Sequence, residues 1–421
     1  MKYKILAILV FILVLFPYIS FFKTPFDTQP WALIAASILS VFLLYTYRPS
    51  VPRPLQILFW IVAYAAAFLA IYFILGKADT VSGIRALVGY ISVAVFAFVA
   101  YMTFPYITTK PYIIAIVVWL GGAILQLIFG AQVLAGMLAR LSTGGYRGLT
   151  SFAPEPALYA AICASFLVLN EIFYRQRKYN SWWYGIVAIL LIVQITLTYS
   201  GMGLVLMALF AGSKLLSFFF KGETTKDKWL STGAVLLVVM SVFFQKHALI
   251  YTKINNTVPV QSEVKTESRA GFILQNSVTH PVTFVQKDLS ISLRLFNPVI
   301  AVDGGLIVTH GLGQGLGTKS TQLIPSWLSS LLGMERTFGG QIQGGLVSTI
   351  YELGIVGILF TGLILWIVID SIGKNHHMRP VLLVSAVVIF LPMIFFNPVA
   401  FPLFGYMIGV HLYYLYNPLA V

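Results

Sequence analysis

Arginine residues without matching carboxylates are the feature of this sequence that most directly suggests chemistry. Arg140 and Arg147 precede an apolar segment, and Arg269, Arg294 and Arg336 lie in a long polar stretch toward the C-terminus. The planar guanidinium group donates two hydrogen bonds at once and stays charged, so it binds phosphate oxygens well. Such groups would stabilise the negative charge that builds on a pyrophosphate leaving group. The alternative is that they only extend to lipid headgroups.

A glycine-rich run in the same polar stretch begins at His310 and reads His-Gly-Leu-Gly-Gln-Gly-Leu-Gly-Thr-Lys-Ser. Histidine is the usual general base near neutral pH, which makes His310 a candidate for that role. The run does not match a phosphate-binding P-loop, because Thr318 stands between the last glycine and Lys319. We therefore expect the glycines to form a tight backbone turn near a ligand.

Two glutamates lie at the start of, or within, apolar segments. Glu155, in Phe-Ala-Pro-Glu-Pro, begins such a segment, where the helix dipole would favour an acid. The alternative for Glu155 is a polar contact with substrate hydroxyl groups or with Arg147. Glu352 lies inside a later segment. Because acids are costly to bury in a membrane, Glu352 indicates either a helix–helix contact or a role in the site.

Long apolar segments must position these residues. Hydrophobic residues make up 59% and charged residues 10% of the 421 residues, whereas soluble domains carry about 25% charged residues. Runs of about 20 apolar residues match the thickness of a bilayer. The segments predicted to span the membrane are 4–22, 30–47, 55–76, 84–105, 111–131, 154–173, 182–200, 202–220, 229–248, 344–369, 379–396 and 398–416. The first is expected to be retained, because no small-residue cleavage pattern follows it.

The distribution of basic residues predicts the orientation. The net charge of +14 does not indicate nucleic-acid binding, because most basic residues lie in short loops. With the N-terminus inside, the cytoplasmic segments hold fourteen Lys and Arg residues, Lys214 among them, and the short outer loops hold five. This asymmetry predicts that both termini are cytoplasmic. Cys163 is the only cysteine, which excludes a disulfide within the chain and a cysteine-based zinc site.

Three parts of the chain follow from these predictions. Residues 1–248 form transmembrane helices one to nine with short loops, 249–343 form a large periplasmic loop, and 344–421 form helices ten to twelve. A structureless loop of this length is unusual and indicates function. Within it, Ser-Trp-Leu-Ser-Ser-Leu-Leu-Gly-Met at 326–334 predicts a short amphipathic helix on the membrane surface. No internal repeat is visible.

Three stretches together resemble the superfamily of O-antigen ligases and polymerases, which are glycosyltransferases of the bacterial envelope. The first is Arg147-Gly-Leu-Thr-Ser-Phe-Ala-Pro-Glu-Pro, similar to the family's Arg-x-x-Gly-x-Phe-x-x-Pro. The second is Arg294 followed by Thr309-His310-Gly-Leu-Gly-Gln-Gly, similar to an Arg and then His-Pro-x-x-Gly-x-Gly. The third, from Gly345 to Gly357, contains Glu-Leu-Gly-x-x-Gly. The order of helices and one long late loop also resemble this family.

The resemblance implies an all-α, polytopic membrane protein with about twelve transmembrane helices, similar to the GT-C type, and a large periplasmic loop between helices nine and ten. It implies a polymerase of the Wzy type, which joins undecaprenyl-pyrophosphate-linked oligosaccharide repeat units at the periplasmic face of the inner membrane. Arg147, Arg294 and His310 would be catalytic. The substrate-binding residues would be Arg269, Glu155, Arg140, Arg336 and Gln343. No metal or other cofactor is expected.

The same resemblance leaves a ligase, which transfers glycan to a lipid core, as an alternative. Those ligases have a His-Asn pair before the last stretch, and this sequence has Gln343 at the position of the His. Glutamine cannot accept a proton, which favours the polymerases. An alternative of another class is a lipid-linked-sugar transporter or flippase. The expected partners are the lipid-linked donor and acceptor, membrane lipids and a chain-length regulator protein, but no nucleic acid.

Overall fold

The computed structural model describes residues 2–20, 28–76, 79–130, 133–138, 148–217, 225–247, 297–318, 345–395 and 401–418. Within these ranges no strand occurs, apart from an isolated bridge between Ile19 and Leu138. The described part of the chain is therefore all-helical, as the sequence predicts.

Within the described ranges we number fourteen helices in chain order. The first nine are α1 (Lys2–Leu15), α2 (Trp31–Tyr47), α3 (Arg53–Ile74), α4 (Thr80–Thr103), α5 (Thr109–Phe129), α6 (Pro156–Arg175), α7 (Ser181–Leu197), α8 (Gly201–Ser217) and α9 (Thr225–His247). They are followed by α10 (Asn297–Ile307), α11 (Gly345–Leu353), α12 (Ile355–Lys374), α13, and α14 (Pro402–Tyr416). Helix α13 consists of Arg379–Ser385, a π-helical turn at Ala386–Phe390, and Leu391–Phe395.

Five helices in the described ranges are long and apolar enough to cross a membrane: Arg53–Ile74, Thr80–Tyr106, Thr109–Phe129, Pro156–Arg175 and Ile355–Lys374. Shorter apolar helices accompany them. The chain is thus a helical membrane protein. A helix lies at each of the twelve predicted segments, although that number of crossings stays a prediction. The predicted amphipathic helix at 326–334 lies outside the described residues.

The first helix ends earlier than the predicted segment 4–22. Helix α1 stops at Leu15, because Pro17 cannot donate a helical hydrogen bond and also disfavours the helical conformation at Phe16. The Trp119 indole donates from Nε1 to the Leu15 carbonyl oxygen at 3.0 Å. This bond satisfies one of the carbonyl groups that a helix end leaves unpaired.

Burial separates central helices from those at the periphery. In the most apolar stretch of α6, 83% of the residues are buried, whereas the corresponding share in α3 is 22%. Helices α3 and α12 instead expose large apolar side chains such as Trp60 and Leu359. An apolar surface of this extent would be unfavourable in water, so these helices face lipid.

Helix α14, in which nearly every residue is buried, packs closely against α4. Gly405 and Gly409 lie one turn apart on the same face of α14. A Cβ atom added at Gly409 would lie 2.2 Å from the Ala97 carbonyl oxygen, and one at Gly405 would lie 3.1 Å from the Cβ atom of Phe96. Small residues at this spacing let two membrane helices approach closely, which is how α4 and α14 form the core.

The tenth predicted segment, 344–369, is two helices folded side by side and not one helix, which corrects the sequence-based prediction. Thr361 donates from Oγ1 to the Leu346 carbonyl oxygen at 3.3 Å. In a straight helix, these two residues would be about 22 Å apart along the axis. We call α11, Gly354 and α12 the helical hairpin.

Glycine permits both the turn and the close packing of this hairpin. Gly354, between the two helices, has a φ of +58°, which side-chain-bearing residues rarely adopt. A Cβ atom added at Gly357 would lie 2.0 Å from the Thr349 carbonyl oxygen. The apolar run continues across both positions, so hydropathy alone predicted a single span.

Candidate functional site

The structure describes two of the eight predicted site residues, His310 and Glu155. Arg140, Arg147, Arg269, Arg294, Arg336 and Gln343 lie outside the described residues, so their roles stay predictions. The candidate site is therefore built from the elements next to these residues: the glycine-rich run, the helical hairpin and the segment that follows Arg147.

The glycine loop, which we define as residues 310–317, has an alternating backbone conformation. Gly311, Gly313, Gly315 and Gly317 have φ values of +87°, +87°, +97° and +70°, and His310 has a φ of +52°. This left-handed region is open to glycine at no steric cost, and histidine enters it more often than most residues do. The spacing of the glycines is thus a requirement of this backbone.

The glycine loop caps the turn of the helical hairpin. Gln314 and Gly315 donate from their backbone N–H groups to the Tyr351 and Glu352 carbonyl oxygens, at 2.8 and 3.1 Å. These two carbonyl groups belong to the last turn of α11, where no intrahelical donor is available. In the other direction, the Gly311 carbonyl oxygen accepts from the N–H of Ile355, at 2.9 Å, at the start of α12.

These contacts show why the glycines are needed in the loop. A Cβ atom added at Gly313 would lie 2.4 Å from the Glu352 carbonyl oxygen, so the close approach is to protein backbone. The tight backbone turn that the sequence predicts is thus present, and the amide groups of Gln314 and Gly315 donate to α11. A ligand near this turn stays a prediction.

The Glu352 carboxylate joins three elements. Its Oε2 atom accepts from the Tyr90 hydroxyl of α4 at 2.8 Å, and its Oε1 atom accepts from the Gly317 N–H of the glycine loop at 3.0 Å. Of the two alternatives raised by the sequence, the structure gives the polar contact between helices. Through this contact, Glu352 also fixes the end of the loop that begins with His310.

His310 lies at the surface, at the start of this fixed loop. Its side chain is exposed, and its backbone N–H donates to the Ile307 carbonyl oxygen at 3.3 Å. The preceding Thr309 hydroxyl donates to Gly305 and accepts from the Gly313 N–H, at 2.7 and 2.9 Å. A general base needs a fixed backbone and an accessible ring, and His310 has both.

Glu155 directly precedes α6 and does not lie in its first turn. It has an extended backbone, with φ −143° and ψ 148°, and its side chain does not cap the helix. Its carbonyl oxygen accepts from the N–H groups of Leu158 and Tyr159, both at 3.1 Å. The half-buried carboxylate is thus at the N-cap of α6, next to the positive end of the helix dipole, which favours an acid there.

The segment that follows Arg147 is packed tightly between helices. A Cβ atom added at Gly148 would lie 2.0 Å from the Thr198 carbonyl oxygen. The Gln126 side chain of α5 accepts from the N–H groups of Thr150 and Ser151, at 3.0 and 2.7 Å. This buried amide therefore holds the turn that begins three residues after the predicted catalytic arginine.

A buried charged pair, which was not predicted from the sequence, joins α6 and α8. Lys214 was counted among the cytoplasmic segments. It is buried in the last turn of α8, and its ammonium group lies 3.0 Å from the Glu171 carboxylate of α6. Tyr184 also donates to Glu171. Without Lys214 the charge asymmetry still favours the same orientation. An acid and a base on separate apolar segments could have suggested the pair.

Replacing Glu352 should destabilise the fold in a graded way. Glu352→Ala leaves the Tyr90 hydroxyl and the Gly317 N–H without their acceptor, at a cost of about 1–3 kcal/mol for each buried group. Glu352→Gln keeps one acceptor oxygen and should lose less. Thermal unfolding in detergent should rank the melting temperatures as wild type, Gln variant, Ala variant. Equal melting temperatures for all three would show that Glu352 does not hold the loop.

Two of the three stretches that carry the family resemblance, the glycine-rich run and the Glu-Leu-Gly-x-x-Gly stretch, are in direct contact through these hydrogen bonds. A scan against protein-family models found no matching family, and a search of curated proteins found no relative of this chain.

Proposed function

We propose that this protein is a polysaccharide polymerase, which joins undecaprenyl-pyrophosphate-linked oligosaccharide repeat units. The observation that carries the proposal is the contact between the glycine loop and the helical hairpin. It unites two of the stretches that resemble the polymerase superfamily, and it fixes the backbone beside His310. A general base held next to a membrane helix is suited to a substrate with a lipid anchor.

The proposed reaction uses the arginines and His310 in separate roles. A hydroxyl oxygen of the acceptor sugar attacks the anomeric carbon of the donor, and the bond to the pyrophosphate oxygen breaks. His310 takes the hydroxyl proton. Arg147 and Arg294 stabilise the charge on the departing undecaprenyl pyrophosphate. Arg269, Arg140, Arg336, Glu155 and Gln343 bind the substrates. The growing glycan is thereby transferred to the incoming unit.

A lipid-linked-sugar transporter is the second candidate, since two structural observations favour it. The helical hairpin interrupts an apolar segment, and Lys214 and Glu171 form a buried ion pair. Interrupted helices and intramembrane charges are common in transporters. The polymerase explains more of the structure, because a transporter has no need of an exposed histidine on a fixed loop.

The glycans made by cells that lack this protein distinguish a polymerase from a ligase and from a transporter. Loss of a polymerase should leave single repeat units attached to the lipid core, whereas loss of a ligase should leave the core without any repeat unit. Loss of a transporter should cause undecaprenyl-linked units to accumulate on the cytoplasmic side. We expect single repeat units, with long chains restored by the wild-type gene.

The proposed orientation places both termini in the cytoplasm of a bacterium and the site on the periplasmic face of the inner membrane. In a Cys163→Ala background, cysteines at Ser262 and Ser320 should react with a membrane-impermeant thiol reagent in spheroplasts. A cysteine at His376, which is exposed between α12 and α13, should react only after lysis. Labelling at position 376 in intact spheroplasts would contradict this orientation.

Because the proposed reaction uses arginine side chains in place of a metal ion, we expect the protein to stay active in the presence of a chelator. Guanidinium groups can neutralise the leaving pyrophosphate without a divalent cation. Purified protein should therefore keep its rate in excess EDTA. Loss of activity that magnesium or manganese restores would show that a metal supplies this charge.

A further inference from the structure

Large apolar side chains are exposed where α10, the glycine loop and α12 meet. Ile307, Val308, Leu312 and Ile355 are 65%, 55%, 63% and 56% exposed. We call these four residues the apolar patch. The first three belong to the long stretch that the sequence predicts to be an extramembrane loop, where such exposure to water would be unfavourable.

The apolar patch is continuous with the lipid-facing side of α12. Ile355 is the first residue of this helix, and Leu359 and Trp366 continue the exposed apolar stripe along it. A Cβ atom added at Gly311 would lie 2.7 Å from Ile355 Cδ1, so the loop and the start of α12 form one surface.

The same loop lies beside the ends of two other apolar helices. The Tyr72 hydroxyl, near the end of α3, donates to the Gly313 carbonyl oxygen at 3.3 Å. A Cβ atom added at Gly317 would lie 2.3 Å from the Ser82 carbonyl carbon, near the start of α4. The loop residues from Gly313 to Gly317 therefore lie against the last turn of α3 and the first turn of α4.

The chemistry of the loop suits a position at membrane depth. No Asp, Glu, Lys or Arg occurs from 304 to 318. Each backbone N–H from His310 to Gly315 donates to a protein oxygen. Irregular backbone is tolerated in a bilayer only if its polar groups are satisfied by the protein, and charged side chains there are costly.

We propose that the apolar patch contacts the acyl chains of the bilayer, in the leaflet that borders the turn between α3 and α4. The stretch around the glycine loop is then embedded in the membrane surface instead of lying outside it. His310, beside the patch, is held at the level of the lipid headgroups. If the proposed function is correct, that is where the pyrophosphate of a lipid-linked donor lies.

Site-directed spin labelling tests the contact. Nitroxides are attached to single cysteines at Val308 and Leu312 in a Cys163→Ala background, in vesicles of phosphatidylethanolamine and phosphatidylglycerol. Leu359, on the exposed side of α12, is the lipid control, and His376 is the water control. Collisions with oxygen should exceed those with a water-soluble nickel chelate several-fold at 308 and 312, as at 359.

Two results would overturn the proposal: nickel-chelate access at 308 and 312 as high as at 376, or access by neither reagent, which would mean that another part of the protein covers the patch. If one of these variants fails to fold, a nitroxide at Ile307, which also belongs to the apolar patch, replaces it in the same measurement. The measurement does not depend on activity, so its failure is distinct from failure of the proposed polymerase function.

Discussion

Cells that carry Arg147→Lys or Arg294→Lys should make only short glycans, with turnover reduced on the order of a hundredfold or more. Lysine keeps the positive charge but loses the planar, two-pronged contact with phosphate oxygens. Because the charge on the leaving group develops in the transition state, the loss should fall mainly on kcat, with less change in KM. Gel analysis of glycan length and kinetics of the purified variants measure the two effects.

A matched variant controls for a general effect of losing an arginine. Arg177 is exposed just beyond α6, on the proposed cytoplasmic side, and Arg177→Lys should leave glycan length normal. All three variants are compared at equal protein levels. Normal long chains from both Arg147→Lys and Arg294→Lys would refute the proposed role. Shortening that only accompanies reduced protein levels would indicate arginines that anchor the protein in the membrane.

Gly354→Ala should unfold the helical hairpin or strongly destabilise it. The alanine Cβ atom would lie 2.0 Å from the Gly311 carbonyl oxygen, and the backbone has φ +58° and ψ −126°. Steric overlap and the unfavourable backbone together should cost roughly 3 kcal/mol or more. The melting temperature in detergent should fall clearly. Because the glycine loop rests on this turn, glycan polymerisation should be lost as well.

The structure offers a close control for this substitution within the same hairpin. Gly362 lies in the middle of α12, and a Cβ atom added there meets no atom within 4 Å. Gly362→Ala should keep or slightly raise the melting temperature, because alanine favours a helix by up to about 1 kcal/mol. Equal melting temperatures for the two alanine variants would mean that the turn at Gly354 is not as described.

The sequence predicted the helices well where a single physical effect determines them. Apolar runs of bilayer length identified α3, α4, α5 and α6, because a continuous apolar run of about 20 residues satisfies its backbone in lipid as a single helix. The prediction was wrong where local geometry overrides hydropathy. Pro17 ends α1 early, and Gly354 turns the tenth segment back on itself. Neither change alters the apolar character of the run.

The candidate site was predictable to a smaller extent. The glycine-rich run indicated an unusual backbone conformation. The element that it contacts could not be predicted from the spacing of the glycines, because the helical hairpin was itself predicted as one helix. Tyr90, which binds Glu352, was missed since tyrosine is common in membrane helices. A carboxylate within an apolar segment needs a hydrogen-bond donor, so Glu352 itself indicated that a donor such as Tyr90 lies nearby.

The most direct test supplies purified protein in lipid nanodiscs with one substrate, an undecaprenyl-pyrophosphate-linked repeat unit. We predict products of two and more repeat units, with one undecaprenyl pyrophosphate released for each bond formed. The Arg147→Lys variant should form product at no more than about a hundredth of the wild-type rate. Folded wild-type protein that leaves the repeat unit unchanged would contradict the proposed polymerase.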